Sequence, residues 1–174
     1  QTISWDDKPD ASAEAFLALH DYLEKTFPNA HRAMKREKVG AYSLLYTWEG
    51  SDKTLKPVML MAHQDVVPIA PGTESAWEHP PFSGDIADGF VWGRGAWDDK
   101  SNLVSVMEAV EMLAASGVQP KRTLIVASED PELLARCDQL VRLVRGHAEV
   151  RHQDRLGHVV DVDEAAVVVA PSEV

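Results

Sequence analysis

The chain has 174 residues, 45% of them apolar and 26% charged, and a formal net charge of −11. That size and apolar share suit one globular domain with a buried core, while the acidic balance argues against nucleic acid or an anionic membrane surface as partner. Cys137 is the single cysteine, which leaves no intrachain disulfide and no zinc site of the thiolate kind.

Along the chain, Phe16, Leu19, Leu23 and Phe27 recur at helical spacing, with Ser12 as a cap and Pro28-Asn29 as the stop. Tyr42, Leu44, Tyr46 and Trp48 alternate with smaller or polar residues, the pattern of a half-buried strand that ends at Glu49-Gly50-Ser51-Asp52. Val58 to Ala62 is a short continuous apolar run, a strand covered on both faces. From His63 to Gly89 the chain reads as loop, punctuated by Pro68, Pro71, Pro80 and Pro81, and a strand follows at Phe90 to Trp92. Leu103, Val106, Met107, Val110 and Leu113 mark an amphipathic helix stopped by Gly117. Thr123 to Ala127 is another buried strand. Asp130, with Pro131 after it, opens a helix whose stripe is Leu133, Cys137, Leu140, Val141 and Val144, up to Gly146. Val159 to Val162 and Ala165 to Ala170 read as extended. Strands alternating with helices argue for an α/β layered domain.

No apolar run approaches the roughly 20 residues that span a bilayer. The chain opens at Gln1 without a signal-peptide pattern, which points to a trimmed N-terminus and leaves the compartment open, secreted or cytoplasmic. Composition changes along the chain: no aromatic residue follows Trp97 and no lysine follows Lys121, and arginine alone supplies the lysine-or-arginine charge after Arg122.

Two segments carry chemistry. His63-Gln64-Asp65 directly follows the Val58 strand, and ligands of open α/β sheets gather at the carboxyl ends of strands. A ligating histidine needs an acceptor on its second ring nitrogen, and Asp65 stands two residues away on the same side of the chain. The plain alternative is a solvated loop histidine beside a surface aspartate. In Gly93-Arg94-Gly95-Ala96-Trp97-Asp98-Asp99-Lys100, two glycines permit a tight turn and paired aspartates open a helix. Those aspartates read either as helix caps or as a bridging carboxylate between two divalent ions, whose repulsion needs a shared anion.

Taken in order, His63-Gln64-Asp65-Val66-Val67-Pro68, Trp77, Pro80-Pro81-Phe82-Ser83-Gly84, Asp88-Gly89 and Gly93 to Lys100 resemble the zinc peptidase family of carboxypeptidase S, aminoacylase and the secreted N-acyl-amino-acid hydrolases, in its carboxypeptidase-S-like branch. The resemblance runs from about Thr2 to Ala127 and includes Tyr42 to Trp48. It implies an α/β layered zinc-exopeptidase-like catalytic domain with a mostly parallel mixed sheet flanked by helices, present here in part. On this resemblance residues 1–127 are expected to be family-like and 128–174 a divergent tail, with the family's smaller dimerisation domain expected to be absent.

The resemblance also implies two divalent metal ions, zinc with cobalt or manganese as substitutes, of which this chain holds one or both. His63 would bind one ion, Asp98 would bridge both, and Asp65 would act behind His63. The peptide between Asp98 and Asp99 is expected to be cis, and Arg94 and Lys100 to pair with carboxylates. A Glu-Glu pair follows the Thr123 strand in the family. Counting without gaps puts its general base at Glu132 and its ligand at Leu133, which has no donor atom, although Glu129-Asp130 offers an adjacent acidic pair. Asp130-Pro131-Glu132 is equally a good helix start. Asp163 matches the family's aspartate on the histidine-bound ion, with Ala165 replacing a glycine, and is equally a turn between apolar runs. His147, His152 and His158 match no motif and are expected exposed in an irregular tail.

The implied activity is hydrolysis of amide bonds in small peptides or N-acyl amino acids, by full-length relatives that are homodimers. The rival expectation is a truncated or decayed relative that keeps the fold and binds metal weakly.

Overall fold

The computed structural model describes residues 1–5, 8, 10–128, 139–144, 147–153 and 159–161. Helix α1 (Ala13–Thr26) buries Phe16, His20 and Leu23. Ser12 stands at the N-cap, but its hydroxyl makes no capping hydrogen bond. Pro28 does not simply close this helix. It is the first residue of a second one, α2 (Pro28–Ala33), where its missing N–H is no loss. The Ala30 amide donates to the Glu111 carboxylate at 2.8 Å, which satisfies a donor the short helix leaves orphaned.

Strand β1 (Lys35–Val39) pairs antiparallel with β2 (Ser43–Trp48). In β2 the expected alternation holds, with Leu44, Tyr46 and Trp48 buried. β1 lacks any such pattern because Lys35-Arg36-Glu37-Lys38 is a charged edge strand, and charge on an edge discourages further pairing. Strand β3 (Val58–Met61) follows. Asp88 (φ 52°) and Gly89 (φ 79°) form the two-residue turn between β4 (Ile86–Ala87) and β5 (Phe90–Val91), as Asp-Gly does in tight hairpins. Helix α3 (Lys100–Ala115) ends before Gly117, whose φ of 76° marks the expected stop. Strand β6 is Leu124–Ala127.

The main sheet runs β1-β2-β6-β3. It is the expected mixed sheet, flanked by helices, but its balance differs from a mostly parallel one. Among the described residues β6 is parallel to β3, while β1–β2 and β2–β6 are antiparallel. The short connection between β1 and β2 makes a hairpin, and a hairpin is antiparallel by necessity. One face of the sheet packs Leu44, Tyr46, Trp48 and Val126 against Leu23, Phe27, Ala30, Leu103, Met107 and Val110 of the helices. The other face buries Met59 and Ala127, with Leu45 and Ile125 partly covered.

Strands β7 (Gln139–Val144), β8 (His147–Gln153) and β9 (Val159–Asp161) form an antiparallel sheet. This corrects the helix expected up to Gly146, since Leu140, Val141 and Val144 lie in β7. A short run such as Leu-Val-Arg-Leu-Val satisfies either period, and its β-branched residues favour the strand. His147 and His152 likewise belong to β8 rather than to an irregular tail. Val159 to Asp161 is extended as expected. The helix start at 130–138, Glu132, Leu133, His158, Asp163 and the 165–170 run lie outside the described residues. No helix among the described residues is long and apolar enough to cross a membrane.

Candidate metal centre

His63 leaves the carboxyl end of β3, and the Gly93–Asp99 turn brings Asp98 to the same place. His63 Nε2 lies 2.9 Å from Asp98 Oδ1, and His63 Nδ1 lies 2.9 Å from Asp65 Oδ1 and 3.1 Å from the Asp65 carbonyl oxygen. Both neighbours of Nδ1 are acceptors, so Nδ1 carries a proton and Nε2 is the nitrogen free to act as a donor to a cation. The peptide between Asp98 and Asp99 is cis.

Without a metal ion, an imidazole facing two carboxylates gains by holding a second proton. Burial lowers the His63 pKa, but the hydrogen bond to Asp98 and the charges of Asp65 and Asp99 outweigh it, and the net shift is upward. A second proton on the ring is thereby held between His63 Nε2 and the Asp98 carboxylate. Imidazole nitrogen and carboxylate oxygen are ligands that zinc, cobalt and manganese all accept, so His63 and Asp98 fit as two donors to a divalent ion. Among the described residues, no group of three or more histidine, cysteine, aspartate or glutamate side chains is placed to hold one. The Asp98 side chain is 82% exposed, open on the side away from His63.

Behind this pair, the His63–Val66 segment is held by several hydrogen bonds to other parts of the chain. The His63 amide donates to Asp99 Oδ2 at 3.1 Å. Asp99 thus sits at the N-cap of α3 without capping it, and reaches across to the strand end instead. Gln64 is buried; its Nε2 donates to the Tyr42 carbonyl at 2.6 Å and its Oε1 accepts from His20 Nε2 at 3.0 Å. Burial lowers the His20 pKa, partly offset by that bond to Gln64. The Lys100 ammonium donates to the Gln64 carbonyl at 2.7 Å and to Thr2 Oγ1 at 2.6 Å, and burial lowers its pKa.

These contacts correct the pairing expected for two basic residues. Among the described residues Lys100 bonds a carbonyl and a hydroxyl, and the Asp65 carboxylate acts on it by charge without a direct ion pair. Arg94 lies over the Trp77 ring, 5.2 Å from its centroid, a cation–π arrangement that a planar guanidinium suits. Gln64, His20 and Thr2 were not singled out by sequence reasoning. Gln64 had one signal: between two residues that point to the site, it points into the core. Thr2 had none.

The Gly95 turn allows the close approach. Its φ is +80°, and a Cβ there would stand 2.5 Å from Val66 Cγ1. The geometry so far places His63, Asp65 and Asp98 together, while Glu132 and Asp163 are outside the described residues.

The family model described as peptidase family M20/M25/M40 matches residues 59–151. Carboxypeptidase S of Saccharomyces cerevisiae is 55% identical over 114 residues, which cover 64% of this chain and 20% of that protein. The mouse N-fatty-acyl-amino acid synthase/hydrolase PM20D1 is 42% identical over 120 residues, 68% of this chain and 23% of that protein. The chain thus spans about a fifth of the length of these relatives. In fold it is similar to the M20 family metallo-carboxypeptidase Sso-CP2 from Sulfolobus solfataricus, with a TM-score of 0.56, 22% identity, and coverage of 77% of this chain and 29% of that one. The di-peptidase Dug1p of Saccharomyces cerevisiae is similar too, with a TM-score of 0.53, 24% identity, and coverage of 73% and 31%.

Proposed function

The chain belongs to peptidase family M20/M25/M40, and from that premise we propose that it carries part of the centre of a metal-dependent hydrolase that cleaves amide bonds in small peptides or N-acyl amino acids. The reading rests on one observation: His63 Nε2 faces Asp98 Oδ1 at 2.9 Å while Asp65 holds His63 Nδ1. The names of the relatives, a carboxypeptidase and an N-fatty-acyl-amino acid hydrolase, support the substrate class.

In this reading His63 and Asp98 would hold divalent metal, zinc or in its place cobalt or manganese, with Asp98 shared if a second ion is present. Such an ion, when bound, polarises a carbonyl and makes water a nucleophile near neutral pH. Asp65 keeps the proton on Nδ1 and so keeps the Nε2 lone pair available. Asp99 fixes the His63 backbone and thereby the height of the ring. Glu132 as the base that takes a proton from water, and Asp163 as a further ligand, complete the proposal on the strength of the resemblance.

The test is metal content and turnover together. The purified chain is expected to bind zinc or cobalt, to lose it on His63→Ala and on Asp98→Ala, and to hydrolyse dipeptides or N-acyl amino acids when combined with a family-like C-terminal segment. Zinc no higher than background defeats the reading. A second reading, a relative that keeps the fold without the chemistry, is favoured by the pairing of only two ligand side chains among the described residues. It predicts weak binding of one ion and no turnover in excess zinc or cobalt.

A further inference from the structure

The polar atoms beneath the His63 loop form a closed ring that the metal reading does not use. The Lys100 ammonium donates to the Gln64 carbonyl at 2.7 Å and to Thr2 Oγ1 at 2.6 Å, and the Thr2 hydroxyl donates to the same Gln64 carbonyl at 2.6 Å. Thr2 is only 2% exposed, although it lies near the start of the chain. Its carbonyl accepts from the Val66 amide at 2.8 Å, and Ile3 forms a bridge with Val66. The extended segment at Thr2–Ile3 therefore lies alongside the loop like an added strand. A buried carbonyl needs a partner, and here one carbonyl receives two, one of them charged. Charge-assisted bonds are the stronger kind.

The arrangement has a direction. Asp98, Asp99 and Lys100 are consecutive, and each grips a different atom of the two-residue segment His63-Gln64: a ring nitrogen, an amide and a carbonyl. Asp98 is the ligand; Asp99 and Lys100 set where the histidine stands relative to it. The Gly95 turn packs against Val66 and the Lys100 stem, so the two segments have little room to slide.

We propose that Lys100 and Thr2 are positioning residues: by converging on the Gln64 carbonyl they hold the His63 peptide at the height where Nε2 meets the Asp98 carboxylate. The proposal rests on the metal-centre reading for its consequence, but its structural content is tested without metal.

The experiment is amide hydrogen exchange by NMR on the metal-free 174-residue chain, with the β2–β6 ladder amides as internal reference, followed by cobalt titration. Local opening exposes the amides it releases and leaves the rest of the fold protected. In Lys100→Met, exchange at His63 and Val66 is expected to rise at least about tenfold while the ladder amides keep their rates, since a charge-assisted bond to a buried carbonyl is worth that much or more. Thr2→Val is expected to act in the same direction and Thr2→Ser to stay near wild type. Where the chain binds cobalt, Lys100→Met should weaken binding by about 10–100-fold, the range for partners that orient a ligand. Unchanged exchange at His63 and Val66, or an equal rise at the ladder amides, overturns the proposal. If Lys100→Met does not fold, Thr2→Val against Thr2→Ser decides it. A wild-type chain that binds no cobalt defeats the metal reading and leaves the exchange result to decide this one.

Discussion

Removing the carboxylate behind His63 tests the centre most directly. In Asp65→Ala the imidazole loses its bond from Nδ1 to Oδ1 at 2.9 Å, but the Asp65 backbone carbonyl, 3.1 Å from the same nitrogen, stays. The tautomer therefore survives, and what disappears is the charge and the shorter of two bonds. Partners of this kind alter metal affinity by about 10–100-fold. With a fallback acceptor in place and the Asp65 side chain 39% exposed, the low end applies: about tenfold, or about 1.4 kcal/mol. Asp65→Asn keeps an acceptor and loses only the charge, so a few-fold loss is expected. Isothermal titration with cobalt at pH 7.5 separates the three proteins, with circular dichroism to check that the fold is kept. Equal affinities for wild type, Asn and Ala would show that Asp65 does not support a metal-binding ring. A greater loss in Asn than in Ala would refute the charge argument.

Two further outcomes follow from the described packing. Tyr46 is 1% exposed and burial pushes its pKa up to about 12. The folded state favours the neutral phenol, so this stability is complete below pH 10 and is lost as pH rises from 10 towards 12. The shift corresponds to about 3 kcal/mol, and urea titrations should show the stability difference between wild type and Tyr46→Phe shrinking by that order over this range; a difference that does not vary with pH contradicts it. Gly95→Ala places a methyl 2.5 Å from Val66 Cγ1 at a φ of +80°, and overlap plus strain should cost about 2–3 kcal/mol. Gly117→Ala, where nothing stands within 4 Å but φ is also positive, should lose less by thermal unfolding, and an equal loss would mean that the Val66 contact carries no weight.

How far the sequence could be read depended on whether a residue's partner was local. The β2 alternation and the α3 stripe are set by neighbours within a few positions, and both are legible in the sequence. His63 and Asp98 are separated by 35 positions, and only the ordered motif series linked them. β1 escaped because a charged edge strand owes its conformation to pairing with β2 and carries no period of its own. The 139–144 strand reads as helix in the sequence because a short apolar run supports both periods and nothing local announces its pairing with β8. Thr2 was invisible for a related reason: its role is created by a lysine 98 positions away.

The same topology explains why the centre forms where it does. β3 and β6 are parallel, with Met61 level with Ala127, and the Ala62 amide donates to the Ala127 carbonyl at 3.1 Å. Both strands therefore release the chain at the same edge of the sheet, one into His63 and the other into Ser128. Ser128 is itself engaged there: its hydroxyl oxygen accepts from the Leu44 amide at 2.8 Å, and its amide donates to the Leu44 carbonyl at 3.0 Å. An antiparallel β6 would have released the chain at the opposite end of β3. Among the described residues the one parallel pairing of the main sheet is accordingly what brings the chain after β6 to the end of the sheet where His63 meets Asp98.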